Sequence, residues 1–275
     1  MGMRCLRPGF ALPRSLAAAV LTVAVAAPLH AQSPQPQTPA PSTAAKAAAP
    51  QELPSARSII DRHLAAIGGK AAVQGYSSTR ATGVFSVAAA GMNGTVEISA
   101  AKPDKSAVRI NLPGVGEIFE GFNGKHGWTM SAMTGPMLLE GKQLEDKRFD
   151  ADFYGELRDE SRFQSITSVE RPDFDGRPCY KLKPVRKNGT EDFEYYDVAT
   201  GLKAGRVVTR ESPMGTVTAS SIETDYKKFG KLLLPTTVKQ SVMGVQQVIT
   251  IQTVEFDTVP PSAFEPPAEI KALIK

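Results

Sequence analysis

The sequence predicts a mainly β domain with a few helices (α+β), in which most strands pair in antiparallel fashion. Glycine-containing pairs that suit tight turns recur along the chain, and the last six follow one another about every 12 to 15 residues, from Asp175-Gly176 to Met243-Gly244. Between these turns apolar and polar residues alternate, as in strands with one face in a core. No segment shows the alternation of helices and strands that is typical of a parallel sheet.

The N-terminus has the pattern of a cleavable signal peptide. Arg4, Arg7 and Arg14 precede or flank an uncharged apolar run from Leu16 to Leu29. This run has about 14 residues, fewer than the roughly 20 that span a bilayer. We therefore expect residues 1–31 to be removed after Ala31, export to the bacterial periplasm, and no transmembrane anchor in the mature chain.

Residues 32–54 consist mainly of Pro, Ala, Gln, Ser and Thr, so they cannot bury enough apolar surface to fold and are expected to form a disordered linker. The folded domain is then 55–275. Three of the 32 basic residues lie in the signal peptide and none of the 28 acidic residues does, which leaves a net charge near +1. This balance gives no basis for a nucleic-acid partner, because phosphate binding needs a clustered basic face.

Two regions depart from the strand pattern. Ser55 can cap a helix, 55–67, whose apolar stripe includes Ile60, Leu64 and the neighbouring His63, and glycines at 68 and 69 end it. A short second helix is predicted from Lys70 to Gln74. The charged segment from Gln143 to Leu157 is expected to be helical and to separate two groups of strands.

The alternation predicts one apolar face in each early strand. Val96, Ile98 and Ala100 share a face of one strand, and Val108, Ile110 and Leu112 share a face of the next. Asn93-Gly94 and the other Asn-Gly pairs are interpreted as hairpin turns. Strands are predicted over seven later ranges, and a proline-rich tail is expected to pack Phe264 against the domain. These strands are 165–170, 179–183, 193–197, 202–211, 217–226, 236–242 and 246–256.

Motifs of known chemistry are not found. His63 and His126 belong to no metal-binding pattern, and no serine-hydrolase, dinucleotide or phosphate-loop motif is present. Cys179, the one cysteine of the processed chain, cannot form an intramolecular disulfide and is interpreted as a buried apolar residue. We therefore expect no catalytic residue, no metal and no cofactor.

Several segments together resemble the LolA-like group, which comprises bacterial outer-membrane lipoprotein-sorting proteins and their relatives. The resemblance lies in 59–73 (IIDRHLAAIGGKAAV), the glycine-rich 121–128, the stretch 195–202 (YYDVATGL), and Phe229-Gly230-Lys231 followed by Leu234-Pro235. It implies a strongly curved antiparallel sheet that forms an incomplete β barrel, covered by the N-terminal amphipathic helix and the mid-chain helical segment. It also implies a concave face that accepts acyl chains.

The resulting hypothesis is a non-enzymatic periplasmic carrier that binds lipid or an acylated lipoprotein in an apolar cavity, with lipoprotein sorting to the outer membrane as one role. Envelope membrane proteins are the expected additional partners. The candidate ligand-binding residues are apolar positions of the first five strands and of the helix, namely Phe85, Val96, Ile98, Ile110, Ile118, Trp128, Ile60 and Leu64.

Two other functions stay open at this stage. One is a non-catalytic envelope protein-interaction module, whose core would be filled and would hold no ligand. The other is an extracytoplasmic hydrolase, which would require His63 or His126 to lie beside an acid and a nucleophile.

Overall fold

A computed structural model describes residues 52–212 and 215–274. The predicted signal peptide and the linker up to residue 51 lie outside these residues. The α-helices are α1 (Ala56–Ala66), α2 (Lys70–Gln74), α3 (Gly141–Asp150) and α4 (Ala268–Lys271). The strands are β1 (Ser78–Val87), β2 (Met92–Ala101), β3 (Lys105–Leu112), β4 (Gly116–Phe122), β5 (Gly127–Ser131), β6 (Gly135–Leu139), β7 (Phe163–Glu170), β8 (Asp173–Phe174), β9 (Arg177–Arg186), β10 (Asp192–Asp197), β11 (Lys203–Ser212), β12 (Gly215–Phe229), β13 (Leu232–Val242) and β14 (Val245–Phe256).

One antiparallel sheet contains almost all of these strands, in the order β6-β5-β4-β3-β2-β1-β14-β13-β12-β11-β10-β9-β7, with β8 paired to β9. Neighbours in this order are also consecutive in the chain, except where β1 pairs with β14 and where β7 pairs with β9, because the short β8 lies between those two in the chain. The strands β6 and β7 are consecutive in the chain but form the two edges of the sheet. The sheet is therefore an incomplete barrel with its opening between β6 and β7. This confirms the predicted fold class.

The predicted turn at Asn93-Gly94 is wrong. Both residues lie inside β2, where they pair with Ser86 and Phe85 of β1, and the reversal occurs at Ala88–Gly91. Residue 94 is a glycine because β2 and β3 pack closely there. A Cβ atom at Gly94 would lie 2.1 Å from the carbonyl oxygen of Asn111. Glycine in a strand can mark such a close backbone approach as well as a turn.

Helix α1 packs on the inner face of the sheet. The Ser55 side chain accepts a hydrogen bond from the Ser58 amide and caps the N-terminus. At the other end, Gly68 has φ +123°, and a Cβ there would lie 2.3 Å from the Lys231 carbonyl oxygen. The apolar stripe predicted from the sequence, including Ile60 and Leu64, is buried in the main core cluster with residues of β1–β4, β9, β10, β13 and β14.

The outer face of the first strands has a separate apolar cluster. Phe119 and Trp128 pack there with Phe264 and Ile270 of the C-terminal tail. The ring planes of Phe119 and Trp128 meet at 77° with centroids 5.7 Å apart, an edge-to-face contact. The prediction that the tail packs Phe264 against the domain is confirmed.

The residues 140–162 between β6 and β7, which we call the strap, contain α3 and two short 3₁₀ helices, Gly155–Leu157 and Glu160–Arg162. The mid-chain helical segment is thus confirmed, although α3 begins two residues before Gln143. The strap contacts both groups of strands. Its Lys147 Nζ lies 3.2 Å from Glu120 Oε2 of β4, and its Asp146 and Asp150 pair with Arg186 of β9.

Helix α3 docks through charge and not through an apolar stripe. Its buried residues are Asp146, Lys147 and Asp150. Arg186 lies within 3.1 Å of three carboxylates, those of Asp146, Asp150 and Asp192, and its guanidinium also stacks on the Phe149 ring. Burial raises the pKa of Asp192, but the adjacent Arg186 and Arg210 outweigh it and hold that pKa below its ordinary value.

Substituting Ile60→Ala should lower the free energy of unfolding by about 2–5 kcal/mol, because the side chain is buried in the main core and the substitution leaves a cavity. Urea unfolding followed by the fluorescence of the single tryptophan measures this change. The control is Val169→Ala on β7, where the side chain is exposed and the expected change is within about 0.5 kcal/mol. Equal effects of the two substitutions would contradict the docking of α1.

Substituting Arg186→Gln should cost about 3–5 kcal/mol, since it removes the cation shared by three buried carboxylates and leaves their repulsion only partly offset by Arg210. The control on the same strand is Lys183→Gln. Lys183 Nζ lies 3.1 Å from Glu191 Oε1, and the Glu191 side chain is half exposed, so loss of this ion pair should cost at most about 1 kcal/mol. Denaturant unfolding monitored by circular dichroism gives both values. A cost for Arg186→Gln no larger than that for Lys183→Gln would show that the strap does not depend on this cluster.

Candidate functional site

A cavity of about 90 Å³ lies between the sheet, the ends of α1 and α2, and the strap. Most of its wall is apolar, and the half-buried Tyr76, Phe153 and Leu233 mark the side that faces solvent. The Tyr154 hydroxyl donates to the Tyr76 carbonyl oxygen at 3.0 Å and so ties the strap to the segment before β1. The buried apolar lining residues are Ile67, Val73, Ile98, Val108, Leu232 and Leu234.

The inner end of this cavity is charged. Lys203 of β11 lies there between two carboxylates, with its Nζ 2.9 Å from Glu156 Oε1 of the strap and 3.5 Å from Glu223 Oε1 of β12. His63 of α1 completes the group, with Nε2 3.3 Å from Glu156 Oε2. All four side chains are buried and line the cavity.

Two tyrosines and an arginine support this group. The Tyr226 hydroxyl donates to the Lys203 carbonyl oxygen at 2.7 Å and also lies 3.2 Å from Glu223 Oε2. Behind it, Arg158 forms a two-point contact with Glu194, which also accepts a hydrogen bond from Tyr196. Arg158 has φ +50°, an uncommon backbone conformation for a residue other than glycine.

The pKa values of the two carboxyl groups shift in opposite directions. Burial raises the pKa of Glu156, but Lys203 and Arg158 outweigh it and hold that pKa well below its ordinary value, so Glu156 is ionised at neutral pH. Burial raises the pKa of Glu223 more than Lys203 lowers it. Burial lowers the pKa of Lys203, whereas Glu156 and Glu223 raise it, with a net increase that keeps the ammonium charged.

Two polar contacts orient the His63 ring. Its Nδ1 lies 3.3 Å from the Gly201 carbonyl oxygen and its Nε2 contacts Glu156. Ser106 and Thr79 also line the cavity, but no hydrogen bond joins either hydroxyl to His63 within the described residues. The arrangement is an ion-pair network around a lysine and lacks the nucleophile–base–acid series of a hydrolase.

The structure places seven of the eight predicted ligand-binding residues in one apolar cluster, the main core. Of these seven, Ile98 lines the cavity. The others pack in the core around it, and Phe85 and Ile110 have no exposed surface. Trp128 lies in the outer-face cluster with Phe119 and does not line the cavity. These seven core residues are Ile60, Leu64, Phe85, Val96, Ile98, Ile110 and Ile118.

Sequence reasoning missed the charged inner end. Lys203 and Glu223 lie in segments correctly predicted as strands, where a charged residue is normally assigned to the solvent face. One signal was available, since the opposite face of β9, β10 and β11 carries Cys179, Tyr195 and Ala204, which form their own buried cluster. In strands with apolar residues on both faces, charge alone does not identify the outer face.

Cys179 is the buried apolar residue predicted from the sequence. It has no exposed surface, and burial raises the pKa of its thiol to about 11. This raised pKa favours the protonated thiol at neutral pH, within an apolar cluster.

Within the described residues, no group of three or more His, Cys, Asp or Glu side chains is arranged to hold a metal ion. No helix in the same residues is long and apolar enough to cross a bilayer.

No protein-family model matches the sequence, and no curated protein matches it. Among solved structures, the chain is similar to a DUF1329 family protein from Desulfovibrio piger ATCC 29098, with 13% sequence identity and a TM-score of 0.53 over 76% of this chain and 97% of the other. It is also similar to a LolA superfamily protein from Nitrosomonas europaea, with 13% identity and a TM-score of 0.52 over 78% and 99% of the two chains. The chain therefore has a LolA-like fold, as the sequence resemblance implied.

The Cys179 thiol should not react with Ellman's reagent at about pH 8 in the folded protein, because it is both inaccessible and protonated. In guanidinium chloride the processed chain should release one equivalent of chromophore, since an exposed thiol has a pKa of about 8.5. A Cys179→Ser variant gives the blank. Rapid reaction of the native protein would show that the cluster around Cys179 is open.

Proposed function

We propose that this protein is a periplasmic carrier that binds lipid, or the acyl chains of a lipoprotein, in the cavity beneath α1 and the strap. The observation that carries the proposal is the apolar lining of this cavity on the concave face of the incomplete barrel. Each methylene group moved from water into such a lining contributes about 0.8 kcal/mol, so binding requires no catalytic group. Lipoprotein sorting at the outer membrane is the role proposed for such a carrier.

The size of the cavity requires it to widen when a ligand binds. Its volume of about 90 Å³ is below the roughly 300–1,000 Å³ of typical ligand pockets. The wall best suited to move is the part of the strap that carries Phe153, which is half-buried and joined to the first strands by a backbone hydrogen bond to Pro103. Most of the other lining residues lie in strands or at the ends of α1 and α2.

A second candidate is a non-catalytic interaction module of the cell envelope that holds no ligand. The specific observation in its favour is the filled core, since Phe85, Ile110 and Leu182 have no exposed surface. Binding of a small apolar probe separates the two functions, because a module with a filled core has no site for it.

The fluorescent probe 1-N-phenylnaphthylamine should bind the wild-type domain at micromolar concentration, with an increase in its emission. Ala100→Leu should weaken this binding at least tenfold, since residue 100 lines the cavity and the added atoms fill it. The control is Ala89→Leu in the exposed turn after β1, which should bind the probe as the wild type does. Circular dichroism verifies that both variants fold. Absence of wild-type binding, or equal binding by both variants, would count against the carrier.

A further inference from the structure

The inner end of the cavity determines which polar group a bound amphiphile can carry, an inference that rests on the proposed function. Lys203 is the central residue, because its side chain is buried and lines the cavity. An ammonium group has three N–H donors, and that of Lys203 donates to Glu156 at 2.9 Å and forms an ion pair with Glu223 at 3.5 Å. Because the ammonium lines the cavity, its third N–H can donate to an oxygen atom of a ligand there.

The charge of Lys203 is already balanced. Glu156 is ionised and lies 2.9 Å from the ammonium, and Glu223 supplies a second carboxyl group on the other side. A carboxylate or phosphate on the ligand would be a further anion beside the same cation, among buried side chains. Burying a charge without its own partner is strongly unfavourable, and the nearby carboxylates add repulsion.

An uncharged oxygen meets none of these penalties. A hydroxyl, ester or amide oxygen can accept the third N–H of Lys203 without adding charge, and hydrogen bonds to a charged donor are among the stronger ones. The neighbouring Tyr226 hydroxyl and Glu223 carboxyl group leave the surroundings polar enough to solvate such a group.

We propose that the Lys203–Glu156–Glu223 group makes the cavity selective for amphiphiles whose polar group is uncharged, such as an alcohol, an ester or an amide, over those that carry a free carboxylate or phosphate. On this proposal the three residues determine specificity, and the apolar wall supplies the affinity.

The test compares three ligands with the same alkyl chain: 1-decanol, methyl decanoate and decanoate. Each competes for the domain with 1-N-phenylnaphthylamine, itself uncharged, near pH 7, where a carboxylic acid with a pKa of about 4–5 is ionised. We expect decanol and methyl decanoate to displace the probe at concentrations at least tenfold lower than decanoate does.

Because decanoate is also the most water-soluble of the three, the decisive quantity is the change in this ratio in variants. Glu156→Gln removes the ionised carboxylate beside Lys203. It should lower the concentration of decanoate that displaces the probe, relative to that of decanol, at least fivefold. The matched control is Glu97→Gln, which removes the same charge from a pair with Arg80 on the partly exposed outer face and should leave the ratio unchanged. If Glu156→Gln does not fold, Glu223→Gln is measured in its place, with an improvement in the same direction expected.

The ratio of the displacing concentrations of decanoate and decanol could be the same in the wild type, in Glu97→Gln and in the folded cavity variant. That result would overturn the proposed selectivity and leave the proposed carrier function standing. If instead the probe itself fails to bind the wild type, the proposed function fails and the selectivity fails with it. Binding of all ligands with the predicted shift in ratio supports both.

Discussion

The buried ion pairs between the strap and the inner face of the sheet are the interaction on which the rest of the structure depends. The sheet is open between β6 and β7, and the strap is the segment that joins these two edges. Lys147 attaches it to β4 on one side of the opening, and Asp146 and Asp150 attach it to β9 on the other. Further along, Glu156 and Arg158 pair with Lys203 of β11 and Glu194 of β10. Charged partners at fixed positions specify one placement of the strap, whereas an apolar face would tolerate several.

This mode of attachment has energetic consequences. A buried ion pair adds little net stability, because removing two charges from water offsets their attraction, but breaking it leaves an uncompensated charge inside the protein. The residues of the strap that form these pairs are therefore held by contacts that strongly oppose rearrangement, and Phe153 lies between them. Most of the apolar burial that stabilises the domain lies elsewhere, in the cluster shared by α1 and the strands around β1 and β14. On the same concave face, the ion pairs fix the position of the strap, and the apolar cluster under α1 supplies most of the stability of the domain.

The cavity lies between the apolar cluster and the ion pairs of the strap, and for this reason it is apolar at one end and charged at the other. Its apolar wall belongs to the cluster under α1, and its inner end belongs to the charged network of the strap. The strap supplies both Phe153, at the solvent side, and Glu156, at the inner end. Access to the cavity and the polarity of its interior are thus controlled by the same short segment.

The sequence by itself determined the elements of this fold that depend on local chemistry. Alternating apolar residues located the strands, and Ser55 and the glycines at 68 and 69 delimited α1. Asp175-Gly176 and Asn123-Gly124 lie between strands, where Asp175, Gly176 and Gly124 have positive φ angles. It also indicated the LolA-like fold through turn and packing motifs spread over the domain. Only tertiary structure decided which face of each strand became concave, and so placed Trp128 outside and Lys203 inside. The physical reason is that alternation distinguishes two faces without saying which faces inward, and partners such as Glu156 and Lys203, which lie 47 positions apart, meet only when the sheet curves around the strap.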